Sequence, residues 1–143
     1  MSWLLDTAVV SEPVRPKPDR AVLRWFEAHR EVDMYLSVLT LGELQKGLTR
    51  MPQSKRRDHL TAWIEEDLGS RFEGRVLTVS AEISRIWGLI TGNAENNGRP
   101  LPAIDALIAA TAIHHKLTVV TRNTRDFLAT GVAVEDPWRA GVS

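Results

Sequence analysis

The chain has no cysteine among its 143 residues. Disulfide bonds, thiolate zinc sites and a cysteine nucleophile are therefore excluded. The glycine-containing signatures of phosphate-binding loops, dinucleotide-binding folds and serine hydrolases are also missing. The sequence thus gives no support to a nucleotide-binding enzyme of these types or to a serine hydrolase.

The chain also lacks an excess of either charge and any long apolar run. Its 18 basic residues balance 18 acidic ones, so there is no general basic surface for non-specific nucleic-acid binding. No apolar run approaches the roughly 20 residues that span a bilayer. Asp6 comes too early for the apolar core of a signal peptide. We expect a soluble, cytoplasmic protein with no membrane contact.

The remaining composition is that of an ordinary globular domain, with 43% hydrophobic and 25% charged residues. The length fits one domain over residues 1–143 with a sizeable core. Residues 137–143 are expected to form a C-terminal tail.

Short apolar segments alternate with helical patterns along the chain. The predicted strands cover residues 3–5, 34–39, 75–79, 117–121 and 131–134. The predicted helices cover residues 19–29, a segment from 40 onward, 54–68, 80–93 and 102–115. The basic start of the third of these helices, residues 55–57, is interpreted as a solvated face. This alternation predicts an α/β fold with a mainly parallel sheet.

Four carboxylates lie where a predicted strand has just ended or a helix begins. Asp6, Glu43 and Asp126 follow the first, second and fourth strands, and Asp105 opens a nearly apolar helix. Since ligands of parallel sheets bind outside the carboxyl ends of the strands, we expect these acids to converge there. Converging carboxylates repel one another, and a hard divalent cation relieves that repulsion.

Each acid also has a purely structural interpretation. The segment Thr40–Glu43 has the sequence of a capping box, in which Glu43 bonds only to its own helix start. Residues 123–126 resemble a weaker form of the same capping box. Asp105, in a first helical turn, is favoured there by the helix dipole alone. Asp6 alone has no obvious long helix to cap.

A cluster of oxygen donors without histidine or cysteine suits Mg²⁺ or Mn²⁺. Such ions bind substrate phosphate, activate water and stabilise a leaving oxygen. Hydrolysis of a phosphodiester is the reaction class that this set predicts. The residues alone do not separate it from phosphatase chemistry.

Four segments of the chain, in this order, resemble PIN-domain ribonucleases, and most closely the VapC-type toxins and their FitB-like relatives. They are residues 4–12, 36–44, 105–112 and 120–127, and residues 136–138 are similar to the family's ending. Each motif is weak by itself. The ordered set spans nearly the whole chain and is specific.

The resemblance implies a three-layer α/β/α domain with a mainly parallel five-stranded sheet and an endoribonuclease that depends on Mg²⁺ or Mn²⁺. It implies that Asp6 and Asp105 are the principal metal ligands and that Glu43 completes the acidic site. Thr7 and Thr121 match positions whose hydroxyl groups help to organise that site.

The chain departs from the family pattern at two positions. Relatives usually carry asparagine where this chain has Ala8, which removes one polar contact near the first acid. The family's fourth acidic position often falls two residues after Thr121, where this chain has Asn123. Asn123 offers an oxygen without charge, and Asp126 is the other candidate for that role.

The resemblance also implies partners. Toxins of this kind form homodimers and are inhibited by a small VapB-like antitoxin, and the complex binds operator DNA. The balanced charge and Asn123 leave an alternative open, a PIN-like binding subunit with little catalysis that acts with a partner protein. A metal-dependent small-molecule phosphatase is the third possibility.

Overall fold

The computed structural model describes residues 1–139, and its centre is a five-stranded sheet. Neighbouring strands pair in parallel in the order β3-β2-β1-β4-β5. The strands are β1 (Trp3–Leu5), β2 (Met34–Ser37), β3 (Val76–Leu77), β4 (Thr118–Val120) and β5 (Val134–Glu135). The α/β class and the five-stranded sheet predicted from the sequence are confirmed.

Helices connect the strands. They are α1 (Thr7–Ser11), α2 (Arg20–Ala28), α3 (Val38–Arg50), α4 (Lys55–Ala62), α5 (Gly69–Arg71), α6 (Ala81–Asn96), α7 (Ala103–His115) and α8 (Thr124–Leu128). A π-helical segment, Trp63–Leu68, joins α4 to α5, and 3-10 turns form at Glu12–Val14, Glu31–Asp33 and Pro137–Arg139. In the described part of the chain, no helix has both the length and the apolar character needed to cross a membrane.

Strand β1 separates two halves of the core because its side chains alternate between the faces of the sheet. Trp3 and Leu5 belong to a cluster with Trp25 of α2 and Trp63 of the π-helical segment. Leu4 belongs to the other cluster, whose buried residues include Ile108, Ala109 and Ala112 of α7 and Val119 of β4. Helices therefore cover both faces of the sheet, which is the three-layer arrangement expected for parallel strands.

Several predicted boundaries differ from the observed ones. Strand β2 ends at Ser37, two residues before the predicted end, because the Ser37 hydroxyl accepts a hydrogen bond from the Leu39 N–H and caps α3. Strand β5 lies at Val134–Glu135 and not at 131–134, after a turn in which Gly131 adopts a φ of 87°.

The first residues of the predicted C-terminal tail, 137–139, belong to the folded domain. Residues Pro137–Arg139 form a 3-10 turn in which Pro137 is buried, and Trp138 packs against the core cluster that contains Trp3. Residues 140–143 of the predicted tail lie outside the described residues.

The topology brings the ends of the two central strands together. The Asp6 N–H, directly after β1, donates a hydrogen bond of 2.9 Å to the carbonyl of Val120, the last residue of β4. Since β1 and β4 run in parallel, the segments that follow them leave the same edge of the sheet. Residues 6 and 121 are thus neighbours at this edge.

Candidate active site

Asp6 is held from two sides at the carboxyl edge of the sheet. Its Oδ1 accepts a hydrogen bond of 2.9 Å from the Thr7 N–H, so Asp6 does cap a helix, the short α1. Its Oδ2 accepts one of 2.9 Å from the Thr121 hydroxyl at the end of β4. Two donors from distant parts of the chain, the first residue of α1 and the residue that follows β4, therefore fix one carboxylate, which a cap alone does not require.

Glu43 lies in the second turn of α3 and faces α1. Its Oε1 accepts a hydrogen bond of 2.5 Å from the Thr7 hydroxyl. The capping-box interpretation of Thr40–Glu43 is wrong, since α3 already begins at Val38 with Ser37 as its cap. Thr40 is instead buried, and its hydroxyl lies 3.4 Å from that of Thr7. We did not identify Thr40 as a site residue from the sequence, although its spacing of three residues places it on the same helical face as Glu43.

Asn123 joins the remaining two acids. Its side-chain Nδ2 donates hydrogen bonds of 3.0 Å to Asp105 Oδ2 and 2.9 Å to Asp126 Oδ2. Its backbone N–H donates to the Thr121 hydroxyl at 3.0 Å. The side chain of Asn123 makes no capping bond at the start of α8, so the capping interpretation of residues 123–126 is also wrong.

Burial and mutual repulsion both act on the carboxylates of this cluster. Burial raises the pKa of Asp6, against the hydrogen bonds from Thr121 and Thr7, and the charge of Glu43 raises it further. Burial and then the charge of Asp6 raise the pKa of Asp105 to about 6, with smaller contributions of the same sign from Glu43 and Asp126. All four acids therefore belong to one cluster of negative charge.

The cluster has the donor chemistry of a hard-cation site, but its side chains are not arranged as a closed cage. Within residues 1–139, no three histidine or carboxylate side chains are grouped so that they could hold an ion as they stand. Each carboxylate bonds to a neighbouring donor instead, such as Thr7 or Asn123. Burial raises the pKa of Asp6 and of Asp105, and repulsion by neighbouring carboxylates adds to it; a bound cation would offset both effects. In its oxygen ligands and its charge, the set fits Mg²⁺ or Mn²⁺.

Comparison with known proteins shows which family has a matching sequence. Residues 3–132 match the PIN domain. The chain belongs to the PIN domain family.

Individual PIN-domain relatives are similar over nearly the whole chain. The protein is 39% identical to the toxin FitB of Neisseria gonorrhoeae over 135 residues, which cover 94% of this chain and 97% of the relative. It is 38% identical to a VapC ribonuclease of Sinorhizobium fredii, again over 135 residues, or 94% of this chain and 96% of the relative.

The fold of this PIN domain is shared with a solved toxin complex. A structure of FitAB bound to a DNA fragment superposes with a TM-score of 0.90 at 38% identity, and the match covers 95% of each chain. The family resemblance read from the four sequence motifs is thus confirmed.

Proposed function

We propose that this protein is an endoribonuclease that depends on Mg²⁺ or Mn²⁺ and acts as the toxin of a VapBC-type toxin–antitoxin module. The observation that carries the proposal is the convergence of Asp6 and Asp105 at one sheet edge, each with a raised pKa. The names of the relatives support the reaction class, since one is a toxin and another a VapC ribonuclease.

In this proposal Asp6, Asp105 and Glu43 hold the ion. When bound, the ion would activate a water molecule, orient the phosphodiester and stabilise the leaving oxygen. The hydroxyl groups of Thr7 and Thr121 keep Glu43 and Asp6 in position, since each donates to the carboxylate concerned.

We assign Asp126 as the proton acceptor for the attacking water. Asn123 bonds to both Asp126 and Asp105, so it keeps the two carboxylates next to each other without adding charge. A carboxylate at the border of the cluster is able to take the proton while the other three carboxylates hold the ion.

The proposed function also implies particular partners. A small VapB-like antitoxin would cover the acidic edge and inhibit cleavage, the toxin would form a homodimer, and the complex would bind operator DNA through the antitoxin. The structure of FitAB bound to a DNA fragment supports the DNA-binding part of this expectation, because a chain in it is 38% identical to this one and the match covers 95% of each chain.

An RNA cleavage assay tests the proposed activity. Purified protein should cut single-stranded RNA when Mg²⁺ or Mn²⁺ is added, and EDTA should stop it. Asp6→Asn should abolish cleavage because it removes a charge and keeps the shape, whereas Asp67→Asn, the same change at an exposed acid of the π-helical segment, should cut normally. Cleavage without metal, or full activity of Asp6→Asn, would contradict the proposal.

The second candidate function is a PIN-like binding subunit with little catalysis. The neutral Asn123 between Asp105 and Asp126 favours it, because an amide contributes less to cation binding than a carboxylate. Calorimetry with Mn²⁺ separates the two candidates. The nuclease requires a binding site that is lost in Asp6→Asn, and no detectable binding at millimolar Mn²⁺ would favour the binding subunit.

A further inference from the structure

A cavity of about 330 Å³ lies beside the acidic cluster. It is formed between α1 with its following 3-10 turn, α3, and the helical run of α4 and the π-helical segment. Its volume is at the lower end of the range for small-molecule sites, roughly 300–1,000 Å³. It therefore suits one compact group and not an extended chain. We call it the α3–α4 cavity.

The α3–α4 cavity is continuous with the acidic cluster. Thr7 and Glu43, which are hydrogen-bonded to each other, both line it. A substrate whose reacting phosphate lies at Asp6 and Glu43 therefore has this cavity as its immediate neighbour. Whatever occupies the cavity is in contact with the reaction site.

The walls of the α3–α4 cavity are largely apolar. They are formed by Val14, Leu44, Leu48, Leu60, Trp63 and Ile64. Among its lining residues, Glu43 is the single acid. Such walls favour a flat or apolar group that is transferred out of water.

Two arginines add positive charge to the same cavity. The Arg56 Nη2 donates a hydrogen bond of 2.7 Å to the carbonyl of Val14. The second arginine, Arg15, directly follows Val14 in the sequence. Arg15 makes an ion pair of 3.4 Å with Glu12 while its side chain stays 63% exposed. A guanidinium has five N–H donors, so these contacts orient both groups and leave donors for a phosphate. Residues 55 and 56 are exposed, in agreement with the interpretation of a solvated helix face, and Arg56 also lines this cavity.

We infer that the α3–α4 cavity is a subsite for the RNA nucleotide adjacent to the cleaved phosphodiester, with its base between the apolar walls and its phosphate against Arg15 and Arg56. This inference rests on the proposed ribonuclease function. Proteins that read single-stranded RNA turn unstacked bases into such pockets. An RNA phosphate is attracted to the two guanidinium groups, and an uncharged apolar segment would leave them without a charged partner.

Gly47 offers a direct way to fill the cavity. It lines the cavity one turn after Glu43, and a Cβ added there meets no atom within 4 Å. Gly47→Leu should therefore place a side chain into the cavity without disturbing the packed core. Gly88→Leu in α6 is the matched control, since Gly88 is another exposed helical glycine with no atom within 4 Å of an added Cβ.

The experiment measures RNA binding separately from cleavage. Fluorescence anisotropy of labelled single-stranded RNA oligonucleotides, in EDTA so that no cleavage occurs, should show about tenfold weaker binding by Gly47→Leu. Gly88→Leu should bind within twofold of the unsubstituted protein. Arg56→Gln should weaken binding and reduce its dependence on salt, because one phosphate contact is lost. Thermal melting of each variant checks that it is folded.

The outcomes separate the inference from the function on which it rests. If the protein binds RNA with this dependence on residue 47 but cuts none in Mn²⁺, the subsite stands and the proposed activity fails. If it cuts RNA while Gly47→Leu and Gly88→Leu bind it equally well, the activity stands and the subsite is overturned. The subsite is also overturned if Gly47→Leu keeps RNA binding but loses binding of a protein inhibitor, since the cavity then takes a protein segment.

Discussion

The Thr7 hydroxyl donates a 2.5 Å hydrogen bond to Glu43 Oε1 and so connects the first turn of α1 to the second turn of α3. Thr7 also donates its backbone N–H to Asp6. One residue therefore positions two carboxylates that come from different parts of the chain. A hydrogen bond to a charged acceptor is worth roughly 1.5–3 kcal/mol, about twice a neutral one.

Removing the Thr7 hydroxyl should loosen Glu43 and leave Asp6 in place. Thr7→Val keeps the shape of the side chain and the backbone N–H, so we expect roughly tenfold slower RNA cleavage and weaker Mn²⁺ binding. Thr7→Ser keeps the hydroxyl and should stay within about threefold of the unsubstituted rate. The measurements are single-turnover cleavage and Mn²⁺ calorimetry. Equal rates for the valine and serine variants would show that the Thr7–Glu43 bond has no functional role.

Asn123→Asp should have opposite effects with and without metal. The amide now donates to both Asp105 and Asp126, and a carboxylate in its place would repel both. We expect a lower melting temperature in EDTA and about tenfold tighter Mn²⁺ binding. Asn123→Ala also loses the two hydrogen bonds but adds no charge, so it should melt lower without binding Mn²⁺ more tightly. Unchanged Mn²⁺ affinity in Asn123→Asp would place residue 123 outside the metal site.

Asp105 should make stability depend on pH in the metal-free protein. Its pKa rises from 3.8 to about 6 on folding, so between these values the folded state binds the proton more tightly than the unfolded state. The stabilisation of the folded state by this tighter proton binding is therefore fully present below about pH 4 and is lost as the pH rises through about 6. Because the side chain is half-buried, we expect a loss of only roughly 1–2 kcal/mol.

Asp105→Asn removes this titration and gives the test. In EDTA the variant should be more stable than the unsubstituted protein at pH 7 by the same roughly 1–2 kcal/mol, and the two should be equally stable near pH 4. Urea denaturation at both pH values measures the difference. A variant that is less stable at pH 7 would show that neither burial nor the neighbouring carboxylates disfavour the ionised form of Asp105 in the native state.

The members of the acidic cluster could be predicted from sequence because their positions depend on strand order. Asp6 follows a strand that is wholly buried, and Asp105 begins a helix whose apolar character requires burial on several sides. In a parallel sheet, these two facts place both residues at the same edge. Glu43 and Asp126 also follow predicted strands, and the family resemblance added Thr7 and Thr121 to the same set.

The hydrogen bonds inside the cluster could not be predicted in the same way. Thr7 and Glu43 are separated by 36 positions, and no local pattern records their contact. The capping box at Thr40–Glu43 was a misleading local pattern, because the register of β2 ends that strand at Ser37, which caps α3 first. At such a boundary, tertiary contacts decide where the helix begins and override the local sequence preference. The bridging role of Asn123 likewise depends on the approach of α7 to α8.

Glu135 should be a larger determinant of stability than its place on an edge strand suggests. Its Oε1 accepts a hydrogen bond of 2.9 Å from Trp25 Nε1, and its Oε2 accepts one of 3.1 Å from Trp3 Nε1. Both indoles are buried, so Glu135→Ala leaves two N–H groups without this acceptor and should cost roughly 2–4 kcal/mol. Glu135→Gln keeps one acceptor oxygen and should cost about half as much, whereas Glu73→Ala, at an exposed turn position, should cost less than about 0.5 kcal/mol. Urea denaturation measures all three, and equal stability of the Glu135→Ala and Glu73→Ala variants would mean that water replaces the carboxylate fully.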